Sequence, residues 1–301
     1  MSFSQKHAPP YLRAHRRTLA IMSDVCVSLT PSSVAAVWFF GLRAMWMLLT
    51  AVGVSFVTDR LSARLHGASH PFDGSALVTG MILALSCPVG TPLWLLAGMC
   101  IVAVGVFRDA LGGIGANLFN PAMAARALLL TSFPAYLSGY ALPHAVSSAT
   151  PLSGGDAALI PLLFGRVNGS IGETSAVLIL LGAAYLLIRR VIRWQIPVLS
   201  VAAFAFVIAL DGGDVLRHIL SGSLLFGAVY IFTDYTGSPT TPLGEILFAV
   251  GVGAFTAVLR LWGRYPEGVC FAVLIMNLLT PLLDRLTRPR VYGTKRKERS
   301  A

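Results

Sequence analysis

The chain contains very little charge for its length. Only 12% of its 301 residues are charged, whereas 55% are hydrophobic, and its mean hydropathy is +0.74. A soluble domain carries roughly 25% charged residues. Whole stretches, such as residues 174–188 and 196–210, contain no charged residue at all. Because lipid accepts only segments that satisfy their own backbone hydrogen bonds, this pattern predicts an integral membrane protein whose spans are helices.

The sequence also lacks the cysteine patterns of disulfide-bonded and zinc-binding domains. Its four cysteines lie far apart, and no two of them form a Cys-x-x-Cys pair. We expect small apolar residues inside helices; the alternative is a thiolate beside an iron–sulfur centre at a subunit interface, with Cys26 and Cys100 as the candidates. No metal site is predicted. No pattern for NADH or ferredoxin binding is present, and the glycines of residues 112–115 lack the βαβ surroundings of a dinucleotide-binding motif.

Positive charge exceeds negative charge by ten, but its distribution indicates a membrane surface rather than nucleic acid. Basic residues concentrate at positions 6–17, 189–193 and 285–299, each beside an apolar segment. Such positions orient membrane helices and contact anionic lipid headgroups. We therefore predict contacts with membrane lipid and none with nucleic acid.

The apolar segments predict about ten transmembrane helices. They lie near residues 20–39, 42–58, 75–88, 92–107, 119–137, 174–189, 194–210, 218–233, 243–260 and 267–284. Several are shorter than the ~20 residues that cross a bilayer. In this arrangement 17 of the 23 Lys and Arg residues lie on one side and five on the other, while Arg126 falls within a span. The excess predicts that both termini lie in the cytoplasm and the loop 138–173 on the outer face.

The two halves of the chain resemble each other. Gly74-Ser-Ala-Leu-Val-Thr-Gly80 precedes a Pro/Gly-rich stretch at 88–92, and Gly222-Ser-Leu-Leu-Phe-Gly227 precedes another at 237–242. Arg108 and Arg260 also occupy matching positions. With five spans per half, the second half must enter the membrane from the opposite side, and broken helices at matching positions indicate a site near the midplane. The alternative is that the small residues only permit close helix packing.

These features divide the chain into five parts. We predict a cytoplasmic N-terminal segment 1–18, a first five-helix repeat 19–137, an outer loop 138–173, a second repeat 174–284 and a basic cytoplasmic tail 285–301.

Three polar segments interrupt the apolar pattern. Residues 112–122 contain Asn117 and Asn120, which would share a face of a helix that begins there and would bond a ligand or a neighbouring helix. Alternatively, Asn120 caps a helix that starts at Pro121. Asp234 ends an apolar span, where it can bind a cation or cap the backbone. The Ser/Thr-rich stretch 145–152 by itself predicts only a turn.

Motifs from both halves resemble the RnfD/NqrB family. They are Asn117-Leu-Phe-Asn-Pro-Ala122, Thr233-Asp-Tyr-Thr-Gly-Ser-Pro239, Glu267-Gly268, and Asn277 with Pro281-Leu-Leu-Asp284. The resemblance extends from about residue 17 to 292, and the short segment before the first span favours RnfD over NqrB. Family members are membrane subunits of ion-pumping ferredoxin:NAD⁺ and NADH:quinone oxidoreductases. The resemblance implies an all-α, urea-transporter-like fold of two inverted five-helix repeats.

The resemblance also implies a covalent flavin. The family binds FMN through a phosphoester to the threonine of an Asp-x-x-Ser-Gly-Ala-Thr motif, which His144-Ala-Val-Ser-Ser-Ala-Thr150 matches. Thr150 is therefore the implied attachment residue, with Ser147, Ser148 and Ala149 beside it. Two positions depart from the motif, because His144 replaces the acidic residue and Ser148 the glycine, and both put the efficiency of flavinylation in question.

A second flavin follows from the same resemblance. A non-covalent riboflavin is expected in the core, with Asn117 and Asn120 as candidate contacts. Asp234 and Asp73 are the candidate contacts for a transported ion.

The expected function is electron transfer within an Na⁺- or H⁺-translocating ferredoxin:NAD⁺ oxidoreductase (Rnf) complex. The chain would be one subunit of that enzyme, with no catalytic residue of its own. The implied partners are homologues of RnfA, RnfB, RnfC, RnfE and RnfG, and a flavin transferase. Three alternatives remain: an NqrB-type subunit, a small-solute permease of the same fold, which does not need the Ser-Ser-Ala-Thr loop, and a scaffold that has lost its cofactor.

Overall fold

The computed structural model describes residues 18–65, 72–137, 169–173, 175–263 and 268–289. Most of the two predicted terminal segments and most of the outer loop, including His144, Ser147, Ser148, Ala149 and Thr150, lie outside the described residues. The division of the chain into five parts therefore stays a prediction.

Helices account for all the regular secondary structure of the described residues. The first half contains α1 (Thr18–Phe40), α2 (Leu42–Leu65), α3 (Ser75–Leu85), α4 (Leu93–Ile101) with a π-helical continuation (Val102–Ala110), α5 (Pro121–Ser132) and α6 (Pro134–Leu137). The second contains α7 (Ala176–Ile188), α8 (Gln195–Leu210), α9 (Val215–Leu220), α10 (Leu224–Phe226) with a π-helical continuation (Gly227–Ile231), α11 (Pro242–Trp262) and α12 (Val269–Thr287).

The predicted polytopic, all-α membrane architecture is confirmed. Five helices are long and apolar enough to cross a membrane, namely Thr18–Phe40, Leu42–Leu65, Leu93–Ala110, Pro242–Trp262 and Val269–Thr287. Ser75–Leu85, Ala176–Ile188 and Gln195–Leu210 are apolar but shorter. The count of ten spans, the inversion of the second half and the cytoplasmic termini remain predictions.

Two of the predicted spans are broken in the structure. The segment predicted near 119–137 begins only at Pro121, which has no backbone N–H to donate and suits the first turn, and it is interrupted before Pro134. The segment near 218–233 is divided at Ser221 and Gly222, where Gly222 adopts φ 71°. The second break lies in the interior, since Ser221 is buried, whereas the residues around Pro134 are exposed.

Contacts between helices occur both within each half of the chain and between the halves. In the first half α2 contacts α3 and α4, and in the second α8 packs extensively against α11. The α8–α11 contact is close because Gly253 has no side chain; a Cβ atom there would lie 2.1 Å from the backbone oxygen of Ser200. Between the halves, α1 contacts α7 and α5 contacts α12. Gly253 thus permits close packing of these two helices.

The matching arginines of the two halves are both buried, but their partners differ. Arg108 pairs with Asp59 at 2.8 Å, whereas Arg260 donates to the backbone oxygen of Ser221 at 3.2 Å and to that of His218. The Arg260 guanidinium also lies 4.8 Å from the ring centroid of Phe204. A buried guanidinium needs acceptors or a ring face, and each half supplies its own.

Candidate functional site

The polar segment before α5 meets the polar segment after the π-helical turn Gly227–Ile231. Asn120 is the N-cap of α5, since its Oδ1 accepts the backbone N–H of Met123 at 3.1 Å. Asp234 ends the opposing helical segment, and its backbone oxygen accepts both the N–H of Ser238 at 3.1 Å and the Ser238 hydroxyl at 2.8 Å. Hydrogen bonds within each segment thus stabilise its local conformation.

Side-chain hydrogen bonds connect the segments. Asn120 Nδ2 donates to Asp234 Oδ2 at 3.1 Å, and the hydroxyl of Thr236 donates to the same oxygen at 3.2 Å. Asn117 Nδ2 donates to Thr236 Oγ1 at 3.0 Å and to the backbone oxygen of Phe119 at 3.2 Å. We call Asn117, Asn120, Asp234 and Thr236 the polar cluster. It joins residues 114 or more positions apart in the sequence.

Helix α12 supports the polar cluster from behind. With its amide oriented to match its neighbours, Asn277 accepts the backbone N–H of Asn120 at 3.0 Å and donates to the backbone oxygen of Gly237 at 3.1 Å. The Thr280 hydroxyl donates to the same Gly237 oxygen at 2.8 Å. A Cβ atom on Gly237 would lie 2.8 Å from the Asn277 amide, so a side chain there would push the supporting helix away. Both backbone segments are therefore held in place before any ligand arrives.

The polar cluster forms one wall of a cavity of about 330 Å³. Most of the other walls are apolar and come from α1, α3, α7 and the π-helical turn Gly227–Ile231, with Met22, Val78, Ile82, Leu186 and Val229 among the lining residues. A cavity of this size with apolar walls and a few converging polar groups is typical of small-molecule sites.

One acceptor of the polar cluster has no donor among the described residues. Asn117 is buried, and its Oδ1 atom is shielded from solvent without a hydrogen bond. A buried amide oxygen without a donor is costly unless a ligand supplies one. The cavity therefore suits a largely apolar molecule that carries a hydrogen-bond donor.

Arg108 lines the cavity on another side and is held by three carboxylates. The nearest two are Asp59 at 2.8 Å and Asp73 at 3.3 Å from its guanidinium. Asp73 also accepts the backbone N–H of Ser75 at 2.9 Å and the Ser75 hydroxyl at 2.8 Å, which fixes the first turn of α3. Asp73 thus belongs to this arginine network, and no contact joins it to Asp234 in the described structure.

The sequence identified part of this site. Asn117, Asn120 and Asp234 were expected to matter, and the structure brings them together at one cavity. The expectation that the two amides share a helix face was wrong, because α5 begins only at Pro121 and both amides precede it. Asn120 both caps α5 and contacts Asp234, so the two roles considered for it are not exclusive. Asp234 accepts side-chain donors at Oδ2, while its Oδ1 lies 3.5 Å from the Thr236 backbone N–H.

Other members of the site were not predicted as site residues. Thr236 and Asn277 lie within motifs that carried the family resemblance, and Arg108 was noted only as a repeat match. Among the described residues, no group of three or more His, Cys, Asp or Glu side chains could hold a metal ion. Cys100 is buried, as are Cys87 and Cys270, which agrees with the apolar role expected for them.

Comparisons with known proteins identify the family. The model of the NQR2, RnfD, RnfE family matches residues 5–293. The chain is 36% identical to the D subunit of the proton-translocating ferredoxin:NAD⁺ oxidoreductase complex of Clostridium ljungdahlii, with 95% of each chain covered. It is also 36% identical to the D subunit of the Na⁺-translocating ferredoxin:NAD⁺ oxidoreductase complex of Acetobacterium woodii, covering 97% of this chain and 96% of the relative.

A third relative is named more broadly. The D subunit of the ion-translocating oxidoreductase complex of Stutzerimonas stutzeri is 38% identical, with 91% of each chain covered. The family match, from residue 5 to residue 293, includes every residue of the described fold. The chain belongs to the NQR2, RnfD, RnfE family.

Proposed function

We propose that this chain is the RnfD-type membrane subunit of an ion-translocating ferredoxin:NAD⁺ oxidoreductase complex and transfers electrons through bound flavin. Relatives that align over almost the whole chain carry that function in their names. The observation that carries the proposal is the meeting of both family motifs at a single cavity, where Asn117 and Asn120 face Asp234 and Thr236. Electron transport as one subunit of an enzyme complex follows from this assignment.

The cavity is proposed to hold a non-covalent flavin, riboflavin being the expected form. Asn117 Oδ1, which has no donor among the described residues, would accept an N–H of the flavin ring. Apolar side chains such as Val78, Ile82 and Val229 would cover the ring faces and exclude water. The flavin supplies the redox chemistry, while the chain supplies position and electrostatics.

A second flavin, FMN, is proposed on Thr150. The support is the sequence match of residues 144–150, in which Ser147, Ala149 and Thr150 agree with the family motif. Attachment requires a flavin transferase, and electrons would arrive from neighbouring subunits of the complex, the homologues of RnfA, RnfB, RnfC, RnfE and RnfG. The bacterial inner membrane, with both termini in the cytoplasm, is the proposed location.

The identity of the transported ion is not decided by overall similarity. Relatives at the same 36% identity are named for protons in one case and for Na⁺ in the other. A few residues near the ion path must therefore distinguish the ions. Asp234 and Asp73 remain the proposed contacts, the first in the polar cluster and the second beside Arg108.

The covalent flavin is tested by exchanging Thr150→Val in a chain produced together with a flavin transferase. We expect the in-gel flavin fluorescence of the denatured chain to disappear, because valine has no hydroxyl to form the phosphoester. Ser153→Ala, in the same loop, is the matched control and should keep the fluorescence. Fluorescence that persists in the valine variant would disprove the assignment to Thr150. A chain that never carries flavin and conducts a small solute in liposomes would instead support the permease.

A further inference from the structure

The connection between α7 and α8 forms part of the wall of the cavity. We call residues 189–194 the strap. Val191 and Ile192 line the cavity, and Val191 is only 5% exposed. The neighbouring residues face outward, since the side chains of Arg189 and Arg193 are 49% and 61% exposed. The strap thus faces the cavity on one side and the exterior of the protein on the other.

Three separate elements hold the strap in place. Arg189 contacts Asp24 of α1 at 3.1 Å, and Arg193 contacts Glu245 of α11 at 2.7 Å. The hydroxyl of Tyr235, next to the polar cluster, donates to the backbone oxygen of Val191. Between these attachments the strap itself consists of turns and bends.

Within each ion pair the two side chains differ in exposure. The carboxylates of Asp24 and Glu245 are almost completely buried, with side-chain exposures of 9% and 8%, whereas both arginines reach the surface. If the strap moves outward, the arginines can be hydrated but the carboxylates lose their cations while still buried. The Tyr185 hydroxyl, which donates to Asp24 at 3.1 Å, is neutral and does not replace the lost cation. A buried carboxylate that loses its cation is unfavourable, so the ion pairs favour the closed position.

The start of the strap has an unusual backbone. Arg190 has φ 53°, the left-handed conformation usually taken by glycine. The N–H of Val191 donates to the oxygen of Leu186 at 2.9 Å, and the N–H of Arg190 donates to that of Leu187 at 3.0 Å, which together form a Schellman motif. This motif turns the chain sharply off α7 and directs Val191 into the cavity beside Leu186.

We propose that the strap is the wall through which the occupant of the cavity enters and leaves, and that the Asp24–Arg189 and Glu245–Arg193 pairs hold this wall closed. The identity of the occupant, a flavin, rests on the proposed function. The closing mechanism does not, since it follows from the strap and its ion pairs alone.

The closing mechanism is tested without any occupant. In the detergent-solubilised full chain carrying Cys26→Ser, Ile82→Cys places a thiol on the cavity wall, where the native side chain is 5% exposed. The rate of its reaction with a maleimide reports opening. We expect at least a fivefold faster reaction when Asp24→Asn and Glu245→Gln are combined, because neutral side chains tolerate separation from the arginines.

Asp284→Asn is the matched control. Asp284 also holds a connecting segment, through the backbone N–H of Thr240 at 2.8 Å, but within the described part of the chain it makes no hydrogen bond or ion pair with the strap. It should leave the labelling rate unchanged. Equal rates in the double variant and the parent, or an equal rise in the control, would overturn the proposal.

A second pair of variants tests the ion pairs from the arginine side. Arg189→Gln with Arg193→Gln removes both cations and should also accelerate labelling. Exchanging the charges in Asp24→Arg with Arg189→Asp should return the rate towards that of the parent. Acceleration without such recovery would mean that the pair itself does not close the strap.

Riboflavin release separates this inference from the proposed function. We expect riboflavin bound to the purified chain to dissociate at least fivefold faster from the Asp24→Asn, Glu245→Gln variant, as followed by flavin fluorescence. If the parent chain binds no riboflavin, the proposed occupant is wrong, and the labelling experiment still decides the closing mechanism. If riboflavin binds but dissociates equally fast from both, the strap is not its exit.

Discussion

Asn120 performs two tasks, and substitutions can separate them. Its Oδ1 caps α5 through the Met123 N–H at 3.1 Å, while its Nδ2 donates to Asp234 at 3.1 Å. Ser and Asp cap helices about as well as Asn. Neither can donate to Asp234 from this position as Asn does, because serine is shorter and an ionised aspartate has no donor. A residue that only capped the helix would therefore tolerate both changes.

The expected losses of stability differ between Asn120→Ser and Asn120→Asp. Asn120→Ser removes a hydrogen bond to a buried carboxyl group, which contributes about 0.5–3 kcal/mol. Asn120→Asp replaces that donor by a second carboxyl group about 3.1 Å from the first, and two ionised groups at that distance repel by about 5 kcal/mol at an effective dielectric constant of ~20. Relaxation of the site and uptake of a proton by the pair reduce that figure. We expect Asp to be more damaging than Ser, although Asp is the closer match in shape.

The assay is unfolding of the solubilised chain by increasing fractions of denaturing detergent, followed by circular dichroism, together with riboflavin retention. Thr131→Ser, on the exposed face of α5, is the control for changes in that helix. A free energy of unfolding within about 0.5 kcal/mol of the parent for Asn120→Asp, with riboflavin retained, would refute the contact with Asp234 as a stabilising interaction.

Two further predictions follow from the described geometry. The turn after α8 has the same Schellman motif as the strap, with Gly212, at φ 78°, in the position of Arg190. Gly212→Ala should lower the free energy of unfolding by about 1 kcal/mol in the same assay. Arg190→Gly should leave it unchanged or raise it by up to about 1 kcal/mol. An equal loss of stability in both variants would show that the left-handed backbone of Arg190 is not strained. In the assembled complex, Asp234→Asn should reduce ion transport in proteoliposomes at least tenfold, and the exposed Asp211→Asn should not; similar rates would remove Asp234 from the ion path.

The sequence predicted the features that depend on local pattern. Charge scarcity and apolar runs indicated the helical membrane architecture, and Gly, Pro and Asn marked the breaks at residues 112–122 and 233–239. The N-cap role of Asn120 followed from its position before Pro121. These properties arise from backbone geometry and hydration within a few residues, so one segment of sequence is enough to indicate them.

The tertiary contacts could not be predicted in the same way. Nothing local to Asn120 indicates that its amide faces Asp234, 114 residues away, since that contact depends on how the halves pack. The matching arginines make the same point. Arg108 and Arg260 occupy matching repeat positions, but one meets the carboxylates of Asp59 and Asp73 while the other meets backbone oxygens. Equivalent positions share burial, and their partners depend on the surrounding chain.

The cavity lies where the two halves of the chain meet, and that position has a mechanical consequence. Asn117 and Asn120 belong to the first half and Asp234 to the second, so the polar cluster crosses between them. The strap crosses as well, because Arg189 of the second half pairs with Asp24 of the first. Under the proposed function, a change of charge on a flavin in the cavity would act on contacts that join the halves. Redox state would then bias how the two packed units sit against each other, which is how electron transfer would be coupled to ion movement.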